Sequence, residues 1–309
     1  MTDRELLEKT LTSCKLCPRR CGANRLAGNV GYCGQTAEIR AARAALHYWE
    51  EPCISGTNGS GTVFFSGCNL RCIYCQNREI ALGNQGQIIT LERLSQIFLE
   101  LQEKGAHNIN LVTPTHYIPQ ICIALRHAKE QGLTLPIVYN TSCYEEKESL
   151  KLLDGLIDIY LPDLKYRAPQ VAERLSHAPD YFDKATDALC EMHRQVGDPV
   201  FDTETGLMKR GMIIRHLVLP GLVVQSKHLL RWVHEVIGDH AYVSIMNQYT
   251  PMPQVANAPA FGDLNRKVTD EEYERVLDFA DKIGITLGFR QEGETAEESF
   301  IHPFTGEGL

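Results

Sequence analysis

The sequence predicts an α/β protein built as a partial (β/α)6 TIM-like barrel, with a small cysteine-rich module in front of it. Three observations carry that expectation. After residue 60, short apolar runs rich in β-branched residues alternate with longer stretches of helical periodicity. The apolar runs lack an in–out alternation, as expected of parallel strands covered on both faces by helices. Six main units are too few to close an eight-fold barrel.

The elements follow in order. A strand is expected over 62–66, then a helix with Leu91, Leu94, Ile97, Phe98 and Leu101 on one face. A second strand spans 109–112, and Ile118, Ile121, Cys122 and Leu125 mark the next helix. The third strand is expected over 136–139, a short helix over 145–153, and the fourth strand over 156–161. Phe182, Ala185, Leu189, Met192 and Val196 form the stripe of a long helix over 180–196. A fifth strand covers 212–219, followed by a helix from Ser226, and a sixth strand covers 241–246. Thr269 and Glu272 have capping-box spacing ahead of a helix burying Tyr273, Val276, Leu277 and Ala280. Residues 285–289 read as a last or peripheral strand. The expected division is a module over 1–55 (with 41–49 as a strand), a barrel over 56–290, and a polar, partly mobile tail over 291–309.

The chain has 309 residues, 43% hydrophobic and 23% charged, with a formal charge of -8. That is a globular composition, and the negative balance argues against a general nucleic-acid footprint. The amino terminus is charged and lacks a signal-like apolar core. No run reaches the ~18 apolar residues of a membrane span, so a cytoplasmic protein is expected. Eleven cysteines, an odd number without an export signal, point to metal binding or chemistry rather than disulfides. Cys53, Cys122, Cys143 and Cys190 read as packing residues.

The segment Ser66-Gly-Cys68-Asn-Leu-Arg-Cys72-Ile-Tyr-Cys75 follows the first barrel strand directly. Three thiolates spaced C-x3-C-x2-C in one loop can each cap one corner of a 4Fe–4S cubane and leave the fourth iron open. An open iron lets S-adenosylmethionine chelate through its amino and carboxylate groups. One electron then breaks the sulfonium carbon–sulfur bond, and the resulting 5′-deoxyadenosyl radical abstracts a hydrogen atom.

This motif is that of the radical SAM superfamily. The wider chain resembles the pyruvate formate-lyase activating enzyme-like branch, specifically its iron–sulfur members with a cysteine-rich leader. The resemblance implies that Tyr74 lies beside the adenine. Activating enzymes hold the amino group of S-adenosylmethionine with a Gly-Gly-Glu segment at the second strand end. Here that end reads Val112-Thr113-Pro114-Thr115-His116, so the contact falls to backbone carbonyls, Thr113, Thr115 or His116. Asn140 and Thr141 stand where the family has a cofactor-proximal Asp-Thr-Asn-like segment. Asp163-Leu-Lys165 matches its Asp-x-Lys. By resemblance Lys165 pairs with the cofactor carboxylate, while Asp163 holds a monovalent cation or the lysine. Arg215 matches a cofactor-contacting arginine; alternation sends Arg215 and His216 to opposite sides of the sheet. Gln248 and Tyr249 are placed to reach ribose or substrate. No residue is singled out as catalytic in itself.

Cys14-x2-Cys17-Pro-Arg-x-Cys21 with Cys33 reads as four ligands of one metal. Zinc is the simplest candidate and an auxiliary iron–sulfur cluster the alternative. The expected function is a radical SAM enzyme fed by a flavodoxin or ferredoxin and acting on a protein or peptide. An enzyme modifying RNA or a metabolite, or a non-enzymatic iron–sulfur or zinc protein, are the competing readings.

Overall fold

The structure, a computed structural model, describes residues 2–83, 85–256, 259–291 and 304–309. Its strands are β1 (Ile39–His47), β2 (Ser60–Phe65), β3 (Gln87–Ile89), β4 (Ile109–Val112), β5 (Ile137–Thr141), β6 (Ile159–Pro162), β7 (Val200–Phe201), β8 (Met208–Leu217), β9 (Tyr242–Met246) and β10 (Gly288–Arg290). They form one sheet in the order β10-β9-β8-β6-β5-β4-β2-β1-β3, with β7 paired to β8. Pairing from β2 to β10 along this path is parallel, whereas β1 is antiparallel to both β2 and β3. The path does not close on itself, so the barrel is partial. The six expected barrel strands are β2, β4, β5, β6, β8 and β9, and the expected peripheral strand is β10.

Register sorts the side chains into two layers. Val138 on β5, Ile159 and Leu161 on β6 and Ile213 on β8 share an inner cluster with Cys53 and Ile54. That cluster plugs the amino-terminal end of the barrel. The alternate residues Tyr139, Tyr160, Met212 and Ile214 pack outward beneath the helices. The covering helices bury the faces their periodicity marked: Leu94, Ile97, Phe98 and Leu101 on Leu91–Glu103, and Ala185, Leu189, Met192 and Val196 on Tyr181–Val196. Thr269 caps Asp270–Ile283 and forms the full capping box with Glu272.

The expected helix over 145–153 is a shorter α-helix, Lys147–Leu150, continued by a 3-10 turn, Lys151–Leu153. Of the four cysteines read as packing residues, Cys53, Cys122 and Cys143 are buried; Cys190 is exposed. The strand expected over 41–49 is β1, so the leader runs into the sheet. Most of the polar tail, 292–303, lies outside the described residues. Residues 304–309 return to β1, where Ala44 N–H donates to the Glu307 carbonyl (2.8 Å) and Gly306 N–H to that of Ala42 (3.0 Å).

Candidate active site

A cavity of about 450 Å³ opens at the carboxyl ends of the barrel strands. Cys68, Cys72 and Cys75 all line it, on the loop that leaves β2. The loop turns sharply, with Gly67 at φ +90° and Arg71 at φ 55°. A Cβ on Gly67 would lie 2.6 Å from the Cys33 carbonyl oxygen, so this turn requires glycine. Leu70 N–H points at the Cys68 sulfur (3.4 Å), the type of contact that stabilises a thiolate. Burial pushes the Cys75 thiol up to about 12, and a bound metal would favour its thiolate. Three thiols from one turn, converging on one cavity wall, suit a cubane with one iron left without a protein thiolate.

The same cavity holds a network of four charges. Arg215 on β8 reaches Glu50 Oε2 through Nη1 (2.9 Å), Asp163 Oδ1 through Nε (2.9 Å) and Asn140 Oδ1 through Nη2 (2.6 Å). Lys165 Nζ donates to Asp163 Oδ2 (2.8 Å). Asn110 and Asn140 donate to Glu50 Oε1, each at 3.1 Å. These charged side chains are only 8% to 21% exposed. Burial alone would raise Asp163, but Arg215 and then Lys165 hold it below its ordinary value. Burial pulls Lys165 down, yet Asp163 holds it above its usual value, so it stays charged. The neighbouring Glu51 is pushed up by burial; within the network Glu50 and Asp163 face Arg215 and Lys165.

Of the residues expected to contact a cofactor, Tyr74, Thr113, Asn140, Asp163, Lys165, Arg215 and Gln248 line the cavity. Tyr74 is 5% exposed, and its hydroxyl is 2.8 Å from that of Tyr166. Thr115, His116 and Thr141 do not line it. Asn140 points inward from β5, so Thr141 points outward; its hydroxyl donates to Glu145 Oε1 (2.5 Å), as does that of Thr115 (2.6 Å). His116 is buried with Nε2 2.8 Å from the Ser66 carbonyl, and burial lowers it to about 3. It therefore donates as a neutral ring to the turn ahead of Cys68. His216 also points away from the cavity, to Leu164 O (2.7 Å) and Ser226 Oγ (2.9 Å).

Sequence reasoning missed Glu50, His47, Trp49, Phe64 and Phe304, all on the cavity wall. Glu50 follows β1, which pairs antiparallel with β2 and ends where His47 meets Ser60, the first residue of β2; from there Glu50 reaches Arg215. Phe304 arrives with the returning tail and packs edge-on against Phe64, ring centroids 5.6 Å apart.

The leader cysteines lie behind the same loop. Cys14 and residues 22–23 are tied by Cys14 N–H to Ala23 O and Gly22 N–H to Cys14 O, both 3.0 Å. Cys14, Cys17 and Cys33 are buried and Cys21 is exposed. No described helix is long and apolar enough to cross a membrane.

Comparison with known proteins agrees with this geometry. Residues 62–209 match the family described as the Radical SAM superfamily. Two curated relatives come from Methanocaldococcus jannaschii. Uncharacterized protein MJ0674 is 28% identical over 293 residues, 92% of this chain and 78% of the relative. Uncharacterized protein MJ0808 is 24% identical over 251 residues, 75% of this chain and 68% of the relative. Similar solved structures include Streptococcus suis SuiB bound to S-adenosylmethionine, with TM-score 0.47, 16% identity, and coverage of 74% of this chain and 49% of that one. Methylornithine synthase (PylB) gives TM-score 0.47 and 16% identity, covering 69% of this chain and 59% of that one. The chain thus spans about half to three fifths of these solved proteins. The stretch that matches the radical SAM superfamily, residues 62–209, carries the cysteine loop and most of the parallel strands.

Proposed function

We propose that this radical SAM protein holds its catalytic cluster on Cys68, Cys72 and Cys75 and uses it to form a radical on a protein or peptide substrate. The observation that carries the reading is one cavity lined by all three cysteines and a charged lysine. When bound, the cluster supplies the electron that splits S-adenosylmethionine into methionine and a 5′-deoxyadenosyl radical.

The chain's own residues bind, orient and shield. Lys165 presents a compact ammonium suited to the cofactor carboxylate, held in place by Asp163. Both carboxylate oxygens of Asp163 are engaged, by Lys165 and Arg215. Asp163 therefore anchors the lysine in preference to a monovalent cation. Arg215 ties Asp163 to Glu50 and Asn140, fixing the polar wall before any ligand arrives. Tyr74, braced by Tyr166 and packed edge-on against Tyr249, offers a flat face for adenine. With no Gly-Gly-Glu segment, the cofactor amino group falls to Thr113 and nearby carbonyls. Phe64 and Phe304 close one side against water, which a reactive radical requires.

The peptide reading rests on the mouth. Trp49 lines the cavity and is 61% exposed, an aromatic anchor of the kind that recognises chain segments. An activating-enzyme-like role on a folded partner is the narrower form of this proposal. The test is anaerobic reconstitution followed by reduction: the loaded protein should convert S-adenosylmethionine to methionine and 5′-deoxyadenosine. Cys72→Ala should abolish both the SAM-responsive cluster signal and cleavage. A fully loaded, reduced protein that leaves S-adenosylmethionine intact would overturn the proposal.

A further inference from the structure

We propose that Cys14, Cys17, Cys21 and Cys33 hold a second 4Fe–4S cluster rather than a zinc ion, and that it relays single electrons into the Cys68 loop through the Cys33 peptide. The relay rests on the reading of Cys68, Cys72 and Cys75 given above; the identity of the metal does not.

The first argument is spacing. Four thiolates around one zinc at ~2.3 Å stand about 3.8 Å apart, edge to edge of a tetrahedron. Among the described residues, the one group of three ligand atoms all within 4.8 Å of one another is His193, Asp198 and His240, none of which lines the cavity. No three leader sulfurs are that close. They nevertheless face a common space: a Cβ on Gly31 would lie 3.4 Å from both the Cys21 and the Cys33 sulfurs. Thiolates that each cap a different iron of a cubane stand farther apart than ligands of one ion. The leader sulfurs, no three of them within 4.8 Å of one another, fit that wider spacing.

The second argument is charge. Arg25 is 1% exposed, and its guanidinium donates to the carbonyls of Thr36 (3.0 and 2.7 Å) and His116 (2.5 Å). Its remaining polar neighbour is the Cys14 sulfur, at 3.9 Å. A buried cation whose hydrogen bonds go to neutral carbonyls is costly unless an anion stands close. A four-thiolate centre is such an anion, and Arg25 is its counter-ion.

The third argument is connection. Cys68 N–H donates to the Cys33 carbonyl (3.3 Å), so one hydrogen bond joins a ligand of each site. Arg19, two residues after Cys17, donates through Nε to Asn69 O (2.8 Å) and through Nη2 to Leu70 O (3.5 Å), inside the other loop. Cys21 and Arg20 are exposed, so a donor can approach there. One electron enters from a low-potential flavodoxin- or ferredoxin-type protein, reducing the leader cluster. The leader cluster is reoxidised as the Cys68 cluster is reduced, and no bond is made or broken.

The metal is tested first. Cys72→Ala protein, reconstituted anaerobically, should retain about four irons and four sulfides per chain. Its reduced EPR signal should not respond to S-adenosylmethionine. One zinc per chain, or iron without sulfide, would overturn the proposal. Loaded wild-type protein gives a second reading should that variant misfold. It should carry about eight irons, with only part of its EPR signal moved by S-adenosylmethionine; about four irons with the whole signal moving would count against a second cluster. The relay is tested with Cys21→Ser, an exposed position. The ratio of flavodoxin-driven to dithionite-driven cleavage should fall at least tenfold from wild type; an unchanged ratio would refute it. If the loaded protein cleaves no S-adenosylmethionine, the proposed function fails while the metal measurement still stands.

Discussion

Asp163→Asn tests the charged wall most directly. Glu50 and Asp163 balance Arg215 and Lys165, and Asp163 alone touches both cations, at 2.9 and 2.8 Å. The amide keeps the shape but leaves the wall with one excess positive charge. Removing one partner of a buried pair costs about 3–5 kcal/mol. Asp163 keeps 21% exposure toward the cavity, which favours the lower end, about 3 kcal/mol. At ~2.1 cal/mol/K per residue, a chain of 309 residues shifts by about 1.5 °C per kcal/mol, so Tm should fall by about 5 °C. The assay is thermal unfolding of anaerobic, cluster-loaded protein. The double variant Asp163→Asn/Lys165→Met, neutral again, should recover part of the loss. The pH dependence has a definite sign. Asp163 is held below its ordinary value, so its contribution is present at neutral pH and lost as pH falls below about 4. Wild-type and variant curves should therefore converge in acid. A single variant within about 1 °C of wild type, or a double variant no better than the single, would refute the electrostatic account.

Three further outcomes follow from the geometry. Gly67→Ala forces a side chain into φ +90° and within 2.6 Å of the Cys33 oxygen; it should cost at least about 2 kcal/mol and lower metal content at both cysteine sites, read by iron analysis and Tm. Tyr74→Ala removes a buried aromatic face from the cavity wall; affinity for S-adenosylmethionine, measured by calorimetry, should fall about 5- to 150-fold, at about 1–3 kcal/mol per stacked base. Burial raises Glu145 to about 7, well above its unfolded value. A carboxyl shifted in that direction loses stability as pH rises from about 4.5 to 7, by about 3 kcal/mol at 1.36 per unit. Glu145→Gln, which keeps an acceptor for Thr115 and Thr141, should flatten that slope in denaturant titrations at several pH values.

What was legible in the sequence was what depends on local spacing. The Cys68–Cys75 loop, the apolar strands and the capping box at Thr269 are short-range patterns, and each stands where it was expected. The ends of the strands were harder, because a single residue of register decides which side chain enters the barrel. Asn140 and Thr141 were read together; Asn140 meets Arg215, while Thr141 turns outward to Glu145. Arg215 and His216 divide in the same way, and there alternation alone gave the split. Thr115 and His116 carried a family position rather than a geometry. Buried against Glu145 and Ser66, they support the cysteine loop from behind.

Glu50 had no signal of its own, because its role depends on an antiparallel strand that the β/α rhythm does not announce. Because β1 is paired with β2, the leader runs directly into the sheet. It delivers Glu50 to the charged wall, Cys33 to the back of Cys68 and Arg25 to the backbone of His116. Changes in the leader should therefore reach the cavity along contacts visible in the fold. The cavity variant Asp163→Asn, by contrast, should leave leader metal content at the wild-type level, because its partners, Lys165 and Arg215, belong to the barrel.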